Sequence, residues 1–277
     1  MTTRLRGLRK WVWFVAPQRI DHAGLHGAQS VAAPNAIGLP EEELWLQAPG
    51  GPRLHAWFIP VEGTAPAVVV LHGWGGNASL MLPLAPHLHR AGFHSLFLDV
   101  SNHGRSDRRR FVSMPRFADD LEVALGWLSG RDEVSTLGVV GHSVGGGAAI
   151  LSASRGCALQ ALVSVASPAD PGALMRQQMA SAPRPVRAAA LGIIQKAIGQ
   201  PFDDFAPRNR IALVQAPTLL VHGAADQVVP LENLHQLAAA SPDAEVLIVD
   251  DAGHSDLDRF LPHVDRITGF LGRHLLR

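Results

Sequence analysis

The pentapeptide Gly141-His142-Ser143-Val144-Gly145 sets a serine between two glycines at G-x-S-x-G spacing. That pattern does chemistry when it forms a sharp strand-to-helix turn that holds the hydroxyl out from the backbone. The flanking glycines let strand and helix approach closely, while the serine takes up strained backbone geometry. Backbone N–H groups at the start of the helix then favour negative charge developing beside Ser143. A hydroxyl alone is a poor nucleophile near neutrality, so the reading requires a base within hydrogen-bond reach and a group that fixes the base's tautomer. Of the 14 histidines, His254 lies in Asp251-Ala252-Gly253-His254-Ser255, a turn between the last strand-like run and the last helical one. Asp226 holds the equivalent place after the preceding strand, in the stretch from His222 to Pro230, with Asp251 and Asp170 as reserve candidates. The chain order Ser, Asp, His is the one that turns of this kind use. Ser143 is therefore the predicted nucleophile, His254 its base and Asp226 the acid that orients the base.

Other residues carry plainer expectations. His72 is read as bracing a loop rather than binding metal, and Asp99 as stabilising its own turn. His142 is expected to pack beside the elbow, against the substrate pocket, rather than to transfer protons. No H-E-x-x-H or clustered Cys/His spacing points to a metal. Gly73-Trp74-Gly75-Gly76 lacks the Gly-Lys-Ser/Thr that would make it a phosphate loop.

These side chains need a frame, and the hydrophobic pattern supplies one. Residues 44–46 and 54–59, separated by Pro49-Gly50-Gly51-Pro52, read as an antiparallel hairpin. Ala67-Val68-Val69-Val70-Leu71 has the continuous branched character of a strand buried on both faces. Strands are then expected at 94–99, 137–140, 161–166, 218–221 and 245–249, alternating with helices at 80–91, 115–128, from 148 onward, 231–240 and 257–275. Such alternation predicts an α/β class protein with a mostly parallel twisted sheet covered by helices on both faces. Between Pro168 and Pro217 the alternation stops, and a segment of about 168–216 with helical spacing is read as a short helical cap. The organisation is thus an N-terminal segment, 1–40, and one domain, 41–277, with the cap inserted in it.

Composition narrows the function classes. With 47% apolar and 17% charged residues, the chain is that of a packed globular protein. Its formal net charge of zero offers no field to hold nucleic acid, and the run Arg108-Arg109-Arg110 is read as a solvated loop. The single cysteine, Cys157, allows no intrachain disulfide and is expected to be a buried structural thiol. No run approaches the roughly 20 apolar residues needed to span a bilayer. Basic residues Arg4 to Lys10 precede Trp11, Trp13 and Phe14, but the apolar run is too short for a secretory signal. A cytoplasmic protein is expected. Weak contact with lipid headgroups through Trp11, Trp13 and Phe14 is one role for the segment, and docking on the domain's own surface is the other.

Taken together, the elbow, His72-Gly73-Trp74-Gly75-Gly76, Asp99 to Ser106 and the Gly223 to Pro230 stretch resemble the α/β-hydrolase superfamily from about Leu44 to Leu275. Within it the chain is most similar to small esterases, lysophospholipases and monoacylglycerol lipases with a short cap. The resemblance implies an oxyanion hole made by the backbone N–H groups of Trp74 and Val144, with the Trp74 indole either lining the acyl pocket or simply packed. It further implies cleavage of carboxylic esters or thioesters through an acyl-enzyme, with a small-molecule acyl substrate and no cofactor. The same fold supports aminopeptidases and cofactor-free perhydrolases, and a non-catalytic binding protein is the remaining alternative. Dehalogenation is disfavoured, because it needs a carboxylate where Ser143 stands. The natural substrate and the oligomeric state are left open.

Overall fold

Branched apolar side chains at every position of Val68-Val69-Val70-Leu71 leave no face for water, and these residues lie fully buried in the middle of a sheet. A computed structural model describes residues 33–276; the segment with Trp11, Trp13 and Phe14 lies outside them. Among the described residues the sheet has eight strands: β1 (Glu42–Gln47), β2 (Arg53–Ile59), β3 (Ala65–Leu71), β4 (His94–Leu98), β5 (Val134–His142), β6 (Ala161–Val165), β7 (Thr218–Gly223) and β8 (Glu245–Val249). Their spatial order is β1-β2-β4-β3-β5-β6-β7-β8. The predicted hairpin β1–β2 pairs antiparallel, with Leu44 opposite Ala56, and β2 runs antiparallel to β4. Every later pairing is parallel, so the chain must cross over through helices. The fold is an α/β-hydrolase fold, and the carboxyl ends of β3 to β8 all open at one end of the sheet.

The helices of the described residues, in chain order, are α1 (Ala78–Met81), α2 (Ala85–Arg90), α3 (Met114–Ser129), α4 (Val144–Ser154), α5 (Pro171–Gln178), α6 (Arg184–Ile198), α7 (Pro207–Arg210), α8 (Glu232–Ala240), α9 (Leu257–Phe260) and α10 (Val264–Leu275). Helix α3 buries Phe117, Leu121, Ala124, Leu125 and Leu128, the stripe its sequence spacing predicts. Two predicted helices are broken where the spacing suggested continuity. The stretch 80–91 becomes α1, a 3-10 turn and α2 around Pro83 and Pro86, and the terminal helix is interrupted by a 3-10 turn containing Pro262. In each place the proline has no N–H to give to the preceding turn, and its ring crowds the carbonyl behind it.

Apolar clusters fill both faces of the sheet, one beneath α3 and α4 and the other beneath α2 and α10. Between β6 and β7 the chain forms α5, α6 and α7 with intervening 3-10 turns. Asp170 caps α5, accepting the Ala173 N–H at 2.9 Å, and pairs with Arg208 at 3.0 Å. Asp99 does more than serve its own turn. Its carboxylate accepts N–H groups of Ala78 and Arg105 and holds buried His55 at 2.9 Å, so it ties α1, the loop after β4 and β2 together.

Two smaller expectations are revised. In the arginine run, Arg109 turns inward to Asp120 at 3.1 Å, leaving Arg108 and Arg110 exposed. Cys157 is half-buried, with the Ser152 hydroxyl donating to its sulfur at 3.2 Å. Among the described residues, no helix is long and apolar enough to cross a membrane.

Candidate active site

β5 ends at His142, and the next residue turns the chain into α4. Ser143 adopts φ 54° and ψ −122°, a region that L side chains rarely enter. The turn is tight enough that only glycine fits beside it. A Cβ on Gly141 would lie 2.6 Å from the Gly145 carbonyl oxygen, and one on Gly145 would lie 2.4 Å from that of His72. The strained serine is held by its backbone: its N–H donates to Val165 O at 2.7 Å, and its carbonyl accepts from the Ser167 hydroxyl at 3.1 Å. Ser167 was not singled out in the sequence, where nothing distinguishes it from any serine following a strand.

Three side chains from the ends of β5, β7 and β8 meet in series. Ser143 Oγ lies 2.9 Å from His254 Nε2, and His254 Nδ1 lies 2.7 Å from Asp226 Oδ2. An ionised carboxylate only accepts, so Nδ1 carries the ring proton and Nε2 is left to accept from the serine hydroxyl. Asp226 is 5% exposed. Burial opposes its ionisation, but the His254 hydrogen bond and the N–H groups of Val228 and Val229, both 2.8 Å from Oδ1, hold its pKa below the ordinary carboxylate value. Neither reserve acid joins them, since Asp170 caps α5 and Asp251 is exposed on its turn.

His142 contacts His254. Its Nε2–H donates to the His254 backbone carbonyl at 2.8 Å, and the two rings lie 5.1 Å apart. Burial, reinforced by neighbouring His254, pushes the His142 pKa from 6.5 down to about 4. The unfolded chain therefore binds a proton that the folded protein refuses. The stability this ring contributes is complete above about pH 6.5 and is lost as pH falls toward about 4. His222 and His94, also lowered by burial, act with the same sign. The denaturation midpoint is expected to drop across that window, and His142→Gln, which keeps a donor but cannot titrate, should flatten the slope. An unchanged slope in chemical denaturation at stepped pH would count against a His142 held neutral in the folded protein.

The loop after β3 lies directly over the elbow: a Cβ on Gly73 would approach that of Ser143 to 3.0 Å. Two buried histidines brace the loop. His72 Nδ1–H donates to Gly73 O at 2.7 Å while its Nε2 accepts from Val100 N–H at 3.2 Å. His103, which sequence reasoning passed over within the Asp99 to Ser106 motif, accepts the Gly75 N–H at 3.1 Å. Trp74 stacks on Phe117, ring centroids 6.2 Å apart at 10°, and both Trp74 and Val144 line the same cavity as Ser143.

That cavity has a volume of about 700 Å³. Leu174 and Met175 of α5 and Ile194 and Ile198 of α6 line it, together with Leu80, Met81, Leu257 and Phe260. Its lining is overwhelmingly apolar, and no Lys or Arg belongs to it among the described residues. These α5 and α6 positions could not be assigned from the sequence, because helical spacing does not say which stripe faces the sheet.

Comparison with known proteins agrees with this architecture. A family profile described as the alpha/beta hydrolase fold matches residues 66–200 and 185–259. An uncharacterized protein of Mycobacterium tuberculosis is 30% identical over 218 residues, covering 76% of this chain and 71% of the relative. The alpha/beta hydrolase domain-containing protein WAV2 of Arabidopsis thaliana is 25% identical, covering 80% and 75%. Among solved structures, an esterase of Pyrococcus furiosus superposes with TM-score 0.72 at 20% identity, covering 94% of this chain and 99% of that one. Est1E from Butyrivibrio proteoclasticus, with ferulic acid bound, gives 0.68 at 17% identity, covering 84% and 100%.

Proposed function

The chain belongs to the alpha/beta hydrolase fold family, and from that premise we propose that it is a serine hydrolase cleaving carboxylic esters or thioesters through an acyl-enzyme intermediate. The observation that carries this reading is the continuous relay from Asp226 through His254 to Ser143, at 2.7 Å and 2.9 Å, opening into an apolar cavity. Ser143 Oγ attacks the acyl carbonyl as His254 Nε2 takes its proton, and Asp226 stabilises the imidazolium. The oxyanion forms against the backbone N–H groups of Trp74 and Val144, each such donor contributing about 3–4 kcal/mol to the transition state. Protonated His254 then delivers its proton to the departing alcohol or thiol. Water, deprotonated by the same nitrogen, attacks the acyl-serine and releases the acid. Fluorophosphonate labelling of Ser143 tests the assignment, and a protein that neither labels nor hydrolyses any activated ester would be a binding protein on this fold.

The apolar lining favours acyl chains over charged groups. Each methylene that enters the cavity is worth about 0.8 kcal/mol, or about four-fold in rate constant. A series of p-nitrophenyl esters is thus expected to rise in kcat/KM with acyl length until the cavity is full. A preference for acetyl, with steady decline thereafter, would contradict it. Aminoacyl amides are a poorer fit to a lining this apolar: among the described residues a single carboxylate, Asp256, lines the cavity, and it also accepts the Gly253 N–H at 2.8 Å.

A further inference from the structure

A second, open cleft of about 660 Å³ lies between the β1–β2 turn and the loop leading into α3, lined by Gly50, Gly51, Asp107, Arg108, Arg110 and Arg116 among others. Its charge is one-sided in a chain whose formal net charge is zero. Arg109 also lines it, so four guanidinium groups face one carboxylate. That carboxylate, Asp107, is already engaged by Arg53 at 2.9 Å. Arg116 is paired with Asp119 within α3, and Arg109 with Asp120, the second pair tying the loop to α3. Arg108 and Arg110 are exposed, and neither forms an ion pair among the described residues.

The position of the cleft matters as much as its charge. Residues 107–111 line it, while Val112, Ser113 and Met114, next in the chain, line the catalytic cavity. Two residues of extended chain span about 7 Å at most, so the Arg110 backbone stands that close to the cavity wall at Val112. The cavity itself holds no cation among the described residues, so an acyl chain can be buried there but a charged group cannot be balanced. An anion on the substrate must stay outside, on the part of the molecule that leaves.

We propose that this arginine cleft is a subsite for a phosphate group carried by the leaving alcohol or thiol, making the substrate an acyl ester or thioester with an apolar acyl end and an anionic leaving end. Arginine suits the task, since its planar fork pairs two N–H groups with two phosphate oxygens. The inference rests on the serine hydrolase reading and adds to it the class of substrate. The phosphate could belong to a lipid headgroup or to a soluble phosphorylated thiol, and the arms of the test separate these sources.

The experiment compares kcat/KM for matched pairs in the full chain: octanoyl-coenzyme A against octanoyl-N-acetylcysteamine, and octanoylglycerol 3-phosphate against octanoylglycerol. At low ionic strength at least one phosphate-bearing member is expected to exceed its neutral partner by about ten-fold, a preference that should shrink as salt screens exposed charges. In the Arg108→Ala/Arg110→Ala double variant the ratio should approach one. Arg266→Ala, an exposed arginine on α10, should leave it as it was. Equal rates within both pairs in the unaltered protein would overturn the subsite, as would a preference that survives the double variant or falls equally in Arg266→Ala. Binding of the cleft to phosphatidylglycerol vesicles, with no change in either ratio, would overturn it in favour of a membrane contact. Absence of turnover on all four probes would instead remove the hydrolase reading beneath it.

Discussion

Ser143→Gly is expected to yield a protein that no longer turns over esters yet is more stable than Ser143→Ala. Both variants remove the hydroxyl, and loss of a triad nucleophile costs on the order of 10⁶ in kcat. They differ only in Cβ. At φ 54° and ψ −122° a Cβ is strained, and strain of this kind costs about 1–3 kcal/mol, from which glycine's extra freedom in the unfolded chain takes back about 0.5–1 kcal/mol. The surrounding bonds do not depend on the side chain, since Ser143 is anchored through its own N–H to Val165 and its carbonyl to Ser167. Glycine should therefore exceed alanine by about 1 kcal/mol in urea denaturation. If alanine is as stable as glycine, the strain at the elbow is no larger than the about 0.5–1 kcal/mol that glycine's freedom in the unfolded chain takes back. Undiminished ester hydrolysis by either variant would place the nucleophile elsewhere.

The elbow was legible because its geometric demands are written in residue type: no Cβ fits at Gly141 or Gly145, so the glycines announce the turn. Positions after strands were equally readable, which is why Asp226 and His254 could be picked from many carboxylates and 14 histidines. Continuous branched runs gave away β3 and its parallel neighbours, since a strand covered on both faces has no polar side. What escaped is what depends on orientation rather than type. His103 supports the loop at Gly75 only because β4 brings its turn against β3, and Ser167 reaches the elbow only through the curl of the chain after β6. The helix breaks at Pro83 and Pro262 were visible as prolines, yet apolar spacing ran through them and masked the change of axis. Arg109 was hidden in its run for a related reason: three identical side chains carry no sign of which one finds a buried carboxylate.

Asp226→Asn is expected to lower kcat by about 10⁴ with little change in KM, by imposing the wrong tautomer on His254. The native carboxylate accepts on both sides: Val228 and Val229 N–H groups at Oδ1, and the His254 ring at Oδ2. An asparagine has one accepting atom and one donating group, so it can satisfy only one side. Turning its NH2 toward Val228 and Val229 would set donors against donors and leave two amides unpaired, at about 1–3 kcal/mol each. The amide oxygen therefore keeps the backbone, and the NH2 faces His254 Nδ1. That nitrogen must then accept, the neutral ring carries its proton on Nε2, and it offers Ser143 a donor where the reaction needs a base. His222 cannot compensate, because its Nε2 is committed to the Val229 carbonyl at 2.8 Å. The nitrogen chemical shifts of the His254 ring report the tautomer directly, and single-turnover acylation reports its consequence. An Asp226→Asn protein that acylates within about ten-fold of the unaltered rate, or whose ring still carries its proton on Nδ1, would show that another group orients the base.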